Sequence, residues 1–177
     1  MSASSPFTIM ETATGTGSAS AITFSSIPQT FKSLMIVGQV KSDIATGNDG
    51  FYLTVNGDAT VSHYSGKSTF NYNGTMYYQD YYSSYAGWYV TAIPSDGWYA
   101  DKLGWMDVLI PNYTQSSNWQ TMQVETGIQN TNTTESMFAQ ANGAWTNSTT
   151  AAVTSLTFTL MSGNWTTDSK ITMYGLG

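Results

Sequence analysis

The sequence contains no cysteine and no arginine, and it has one histidine, His63. Without cysteine the chain can form neither disulfides nor thiolate metal sites, and it has no cysteine nucleophile. A single histidine excludes any site that needs two imidazoles and weakens every acid–base scheme built on histidine. We therefore predict a protein that folds without covalent cross-links and uses no cofactor or metal.

Charge is also scarce. Only 9% of the 177 residues are charged, eleven Asp and Glu against five Lys, and the formal net charge is −6. With so few cations there is no basic surface for nucleic acid or an anionic membrane. No apolar run approaches the roughly 20 residues of a membrane span, and the first residues lack the basic head and apolar stretch of a secretory signal. These absences predict a soluble protein made in a cytoplasm.

The residues that are abundant predict a folded β protein. Ser, Thr and Asn fill 60 of the 177 positions, whereas Val, Ile, Leu and Phe fill 31. The apolar area that these aliphatics do not supply comes from 12 Tyr, 6 Trp and 9 Met, because large rings bury much area per residue. Disorder would also require a high charge, which is absent. The length indicates one domain.

Alternating apolar and polar residues predict strands, and helical periodicity is almost missing. The predicted strands span residues 21–25, 34–41, 50–56, 103–110, 119–126, 137–145, 153–161 and 171–174. Asn56 and Gly57 have the chemistry of a hairpin turn. Eight or nine strands separated by turns are typical of an antiparallel β-sandwich with a jelly-roll-like arrangement, so we predict one such domain over residues 21–177.

Residues 64–99 form a Tyr- and Trp-rich insertion that we predict to be a contact surface. Segments 76–82 and 87–93 are candidate strands of a hairpin within it. Tyrosine mixed with Ser, Gly and Asn is the chemistry of recognition loops. The same rings could instead form the core and the contacts between subunits, and we favour such contacts over stacking on glycans. The candidate residues are Tyr77, Tyr78, Tyr81, Tyr82, Tyr85, Trp88, Tyr89 and Trp98.

The first twenty residues are small, polar and nearly uncharged, with Phe7, Ile9 and Met10 as apolar exceptions. Such a segment can form an extended arm that lies across neighbouring subunits and becomes ordered there. The alternative is a frayed terminus, and the sequence favours neither.

Candidate catalytic and metal-binding residues are few. Asp96, Asp101 and Asp107 could supply a carboxylate pair of the kind that glycosidases use, although turn and strand-entry positions explain the first two structurally. Asp43, Asn48 and Asp49 lie in a Gly-containing loop where oxygen ligands could hold calcium, but their spacing does not fit an EF-hand. We predict structural roles for both groups and no enzymatic activity.

Several strand-and-turn segments resemble a family of tailed-bacteriophage virion proteins. They include the opening FSSIP, a Val-Asn-Gly-Asp turn and a terminal Tyr-Gly strand end, and they lie in residues 22–28, 31–36, 51–58, 153–160 and 171–175. The match covers both ends of the chain and covers residues 64–150 poorly. It carries no functional site, and it implies a structural role on a virus particle.

Within a virion, the length favours a capsid decoration or cement protein that bridges neighbouring major capsid proteins on the outer surface of the particle. We predict a homotrimer, because decoration sites on icosahedral shells often coincide with local three-fold axes. The alternative is a tail-associated module that binds a receptor or a carbohydrate on the host surface.

Overall fold

The chain forms two antiparallel β-sheets packed face to face, in a computed structural model that describes residues 6–45, 47–82, 84–99, 102–129, 136–146 and 150–177. The predicted all-β sandwich is confirmed. The strands are β1 (Phe7–Thr14), β2 (Ala21–Phe24), β3 (Ser33–Val40), β4 (Asp49–Val55), β5 (Tyr64–Tyr72), β6 (Thr75–Tyr82), β7 (Trp88–Ile93), β8 (Gly104–Pro111), β9 (Gln120–Gln129), β10 (Ser136–Trp145), β11 (Leu156–Leu160) and β12 (Lys170–Leu176).

The two sheets differ in size. The large sheet has eight strands in the order β1-β12-β3-β8-β9-β10-β5-β6, and the small sheet has four in the order β2-β11-β4-β7. All eight strands predicted outside the Tyr-rich insertion are present, each with bounds shifted by a few residues at most. The sequence pattern did not predict β1 or β5.

The core lies between the sheets and follows the alternation of the strands. In β11, Leu156, Phe158 and Leu160 are buried, as the pattern indicated. In the large sheet, β8 turns Met106 and Val108 inward, and it lies in the middle of the sheet, as expected for a strand that is apolar on both faces. In the large sheet, the side chains that alternate with the buried ones point to the outer face. By outer face we mean the face of the large sheet that is turned away from the small sheet.

The first strand is neither the extended arm nor the frayed terminus that the sequence left open. Phe7–Thr14 is an edge strand of the large sheet and pairs antiparallel with β12, with Phe7 opposite Leu176 and Thr14 opposite Lys170. A bulge lies between Ile9 and Glu11. Over the described residues, this segment is therefore part of the sandwich and does not extend away from it.

The expected hairpin of segments 76–82 and 87–93 is wrong, although both strands exist. β6 pairs with β5 in the large sheet, whereas β7 pairs with β4 in the small sheet. The hairpin is β5–β6, closed by Asn73 and Gly74 at φ 50° and 82°. Two successive positive φ values define a type I′ turn, which matches the twist of paired strands. Asn56 and Gly57 have similar dihedrals, yet the chain passes there from the small sheet to the large one.

In the described ranges, helix is limited to single turns. A 3-10 turn spans Val61–His63, and α1 spans Asp96–Tyr99. None of the helices in the described ranges has the length and apolar character of a membrane span.

Candidate functional site

The predicted aromatic contact residues divide between surface and core. Tyr77 and Tyr78 lie on β6 and are exposed, Tyr78 to 78%. The ring of Tyr77 stacks on Phe70, with centroids 4.7 Å apart. The side chains of Tyr81, Tyr82 and Trp98 lie outside the described part of the structure. An exposed aromatic surface therefore exists on β6, at the outer edge of the large sheet.

Trp88 belongs to the core and not to a contact surface, which corrects its predicted role. Its side chain is fully buried and meets Tyr64 edge to face at 6.1 Å. It packs directly on Gly143, where an added Cβ would lie 2.4 Å from its Cδ1. Because it is enclosed by β5 and β10, it has no face left for a sugar or another subunit.

Tyr89 is also buried, and its ring stacks on that of Tyr85 at 4.2 Å and 15°. Burial, followed by the neighbouring Tyr85 and Asp49, raises the pKa of Tyr89 to about 12. Both rings anchor β7 and the segment before it. Tyr89 therefore acts within the fold, and Tyr85 covers it.

The three apolar residues of the predicted arm have different surroundings. Phe7 and Ile9 are exposed on the outer face, at 49% and 65%, and Phe7 meets Tyr174 edge to face at 6.4 Å. Met10 turns inward and packs against the core. Met10 follows Ile9 directly, so the alternation of a strand places it on the opposite side. The bulge between Ile9 and Glu11 shifts the alternation only for the residues after it, so that Thr12 lies opposite Thr172.

One carboxylate, Asp58, organises the end of the turn that starts at Asn56. It lies 2.6 Å from His63 Nδ1 and accepts hydrogen bonds from Trp145 Nε1 at 2.8 Å and the Thr60 amide at 3.0 Å. Burial opposes ionisation of Asp58, but these hydrogen bonds outweigh it and lower its pKa to about 2. The half-buried His63 thus joins a structural cluster that ties the turn to β10.

The candidate calcium loop uses its carboxylates to hold the fold. Asp49 is buried and accepts hydrogen bonds from Ser42 Oγ at 2.7 Å and from the Gly163 amide at 3.0 Å. Asp43 accepts two from Asn164, through its amide and its side chain, and these lower the pKa of Asp43. The donors are N–H and O–H groups. Within the described ranges, no three of His, Asp or Glu are grouped to hold a metal ion.

The three aspartates considered for catalysis are not brought together. Asp96 pairs with Lys41 at 2.7 Å, and Asp101 lies outside the described residues. Asp107 is on the outer face of β8, directly opposite Glu125 of β9. Burial and then the charge of Glu125 raise the pKa of Asp107. The carboxylate neighbour of Asp107 is therefore a residue that the sequence did not single out.

The outer face around Asp107 is the candidate functional site that the structure adds. Three rows of side chains run across β8, β9 and β10, as the pairing register dictates. The first row is Trp105, Gly127 and Phe138; the second is Asp107, Glu125 and Gln140; the third is Leu109, Gln123 and Asn142. We call these nine residues the three-row patch.

The two rings of the first row lie close together. The centroids of Trp105 and Phe138 are 6.1 Å apart, and each side chain is 39% exposed. Gly127 lies between them in the register, and a Cβ added there would come within 2.8–3.0 Å of three atoms of the indole. The glycine therefore allows the indole of Trp105 to lie against the backbone of β9.

The other two rows border depressions in the outer face. Gln140 Nε2 donates a hydrogen bond of 2.8 Å to Glu125 Oε1. Three depressions, of about 420, 180 and 200 Å³, share Gln123 in their lining. Alternation within a single strand shows which of its residues share a face. Only the pairing register shows that residues of β8, β9 and β10 are neighbours.

Comparison with known proteins gives no relative. No protein-family model, no curated protein and no solved structure matches the chain.

Proposed function

We propose that the protein is a non-enzymatic structural component of a bacteriophage virion, which decorates or cements the outer surface of the capsid by bridging neighbouring major capsid proteins. The proposal starts from the resemblance of the strand-and-turn segments to tailed-phage virion proteins. The proposal includes a jelly-roll arrangement of the strands. Eight strands divide into β1-β12-β3-β8 and β2-β11-β4-β7, and successive strands mostly change sheet, which supports a pair of Greek keys.

The observation that carries the proposal is the state of the two edges of the large sheet. Among the described residues, β1 and β6 each have a pairing strand on one side only. β1 exposes Ile9, and β6 exposes Met76 and Tyr78. Natural edge strands are normally protected by lysine, proline or a covering element, since open edges pair with other chains.

Protection of these edges is weak. The single charged residue of β1 is Glu11, and Asp80 of β6 lies 3.3 Å from Lys67 of the neighbouring strand. The bulge of β1 is its one protective feature. Two different apolar edges on one sheet support assembly in which one copy's β1 meets the β6 of the next. Such a head-to-tail contact closes into a ring when the rotation allows it, in line with the proposed trimer.

The first test is the copy number of this chain in purified particles, measured by quantitative mass spectrometry against the major capsid protein. We expect about sixty copies or more per particle, because icosahedral shells repeat their sites at least that often. A count below about twenty would place the chain on the tail and overturn the decoration role. Absence from particles would overturn the virion role itself.

A second test addresses the edges. Native mass spectrometry of the purified chain should show trimers, and Ile9→Lys or Tyr78→Lys should shift them to monomers because a buried lysine on an edge opposes strand pairing. Ser162→Lys is the matched control, since this exposed residue follows β11 and lies on neither edge. A monomeric parent chain, or equal effects of all three variants, would contradict assembly through the edges.

A further inference from the structure

We propose that the three-row patch on the outer face of the large sheet is a binding site for a neutral oligosaccharide, with Trp105 and Phe138 stacking on sugar rings and the side chains of Glu125, Gln140 and Gln123 bonding the hydroxyls. The site is independent of the two edges and of the place of the protein in a particle. It also differs from the Tyr-rich segment first considered for glycan contacts, where Trp88 and Tyr89 are buried.

The first observation is the pair of aromatic rings that is held in place on the outer face. Rings used for stacking must be held in place and must keep one side accessible, and both conditions are met. Gly127 seats the indole of Trp105, and Phe138 lies 6.1 Å away at an angle of 40°. Each side chain remains about two-fifths exposed. Aromatic rings lose little conformational entropy on binding, so a pair held in this way is suited to apolar faces of a ligand.

The second observation is the hydrogen-bonding row beside the rings. Asp107, Glu125 and Gln140 are two residues further along the same three strands, which places them about 7 Å from the aromatic row. A carboxylate accepts hydrogen bonds through two oxygens, and an amide both donates and accepts. The hydrogen bond from Gln140 to Glu125 fixes these two groups before any ligand arrives.

The third observation sets the class of ligand. The charged members of the three-row patch are Asp107 and Glu125, and it has no cation. Lys67, which lies on β5 opposite Asn142 and lines the depression of about 420 Å³, is 3.3 Å from Asp80. Two uncompensated carboxylates repel phosphates, sulfates and acidic sugars, whereas hydroxyl groups are the donors that they accept from. The three rows span about 14 Å, which suits a short oligosaccharide better than a single ring.

The test begins with the full chain on an array of neutral gluco-, galacto-, manno- and N-acetylglucosamine oligosaccharides, with sialylated and uronic-acid oligosaccharides as acidic probes. The best neutral probe is then titrated by calorimetry. We expect retention of neutral probes and not of acidic ones. Failure of every neutral probe to bind at up to about 10 mM, which corresponds to a free energy below about 3 kcal/mol, would overturn the proposal.

The decisive comparison uses two exposed tryptophans. Trp105→Ala should weaken binding of the neutral probe about tenfold or more, because the ring is part of the site. Trp119→Ala is the matched control, since Trp119 is 59% exposed in the loop before β9 and lies outside the three-row patch. It should change affinity by less than about twofold. Equal losses in the two variants would overturn the site.

Two further variants keep the test valid if Trp105→Ala does not fold. Gly127→Ala retains the indole but displaces it, and should weaken binding about threefold or more. Glu125→Gln removes the charged acceptor from an exposed position and should weaken binding by a similar factor. Unchanged affinity in both would overturn the proposal. If Trp105→Ala instead dissociates the oligomer without changing sugar affinity, the outer face is a contact between copies, which also overturns it.

Discussion

The two halves of the large sheet are built in different ways. In the half formed by β1, β12, β3 and β8, the inward side chains are mainly aliphatic, such as Leu34, Ile36 and Val108. In the half formed by β9, β10, β5 and β6, many are small or aromatic, such as Ala141, Gly143 and Tyr64. The small sheet has only four strands, so it cannot cover both halves in the same way.

The difference teaches how a narrow sheet can cover a wide one. β7, the edge strand of the small sheet, lies close to β5, β9 and β10. Small residues in these strands allow this approach, and Trp88 fills the remaining space. A separate small cluster of Ile128, Met137 and Ala139 covers the end of this half. The stability of the aliphatic half depends on the apolar area that it buries. The stability of the aromatic half depends on how closely a few rings fit against small residues.

Removing buried apolar area from the aliphatic half should lower the free energy of unfolding the most. Leu34→Ala, at a fully buried position of β3, should lower the free energy of unfolding by about 3–5 kcal/mol, because it leaves a cavity. Equilibrium unfolding in urea measures this loss. The matched control is Leu103→Ala, at an exposed leucine, which should cost less than about 1 kcal/mol. Similar losses at the two positions would contradict the described core.

Adding side-chain volume to the aromatic half should lower the free energy of unfolding by a smaller amount. Gly143→Ala places a methyl group 2.4 Å from Trp88 Cδ1 and should cost about 1–3 kcal/mol through strain. Thermal unfolding measures it. The double variant with Trp88→Phe should lose less stability than the sum of the two single changes, since the smaller ring relieves the clash. Simple additivity would show that the two residues do not touch.

The contact between the turn after β4 and the aromatic half should respond to acid. Asp58 has a folded-state pKa of about 2, below its usual 3.8, so its ionised form stabilises the fold above pH 3.8. This contribution, about 1–2 kcal/mol, should be lost as the pH falls from about 4 to about 2. Asp58→Asn should flatten the pH dependence of unfolding in this window. Asp168→Asn, at an exposed carboxylate in the loop before β12, should leave it as in the parent chain.

A substitution at the outer edge of the aromatic half should change the free energy of unfolding the least. Tyr78→Ala, at a side chain that is 78% exposed, should change the stability of the monomer by less than about 0.5 kcal/mol. Unfolding at submicromolar concentration measures the monomer. A loss above about 1 kcal/mol that grows with protein concentration would show that another copy covers this edge.

Most strands, β1 and β5 excepted, could be predicted from the sequence because their information is local. Alternation identified β3 and β11, and an apolar run identified β8, together with the side chains that they bury. The all-β sandwich followed from these strands and from the turn residues between them.

The packing of the aromatic half could not be predicted in the same way. Trp88 lies among Ser, Tyr and Gly, which is typical of a surface loop, and its burial depends on Gly143, far along the chain. The Asn73–Gly74 turn is the local signal for the pairing of β5 with β6. The three-row patch needs the register of three strands, which no single stretch of sequence contains.

The pairing of β1 with β12 has a consequence for the time course of folding. Thr14 lies opposite Lys170, so β1 pairs with a strand made more than 150 residues later. At typical rates of translation this interval is roughly 10–30 s. During it, Phe7 and Ile9 belong to a strand whose partner does not yet exist, so this sheet edge can be completed only after β12 has been synthesised.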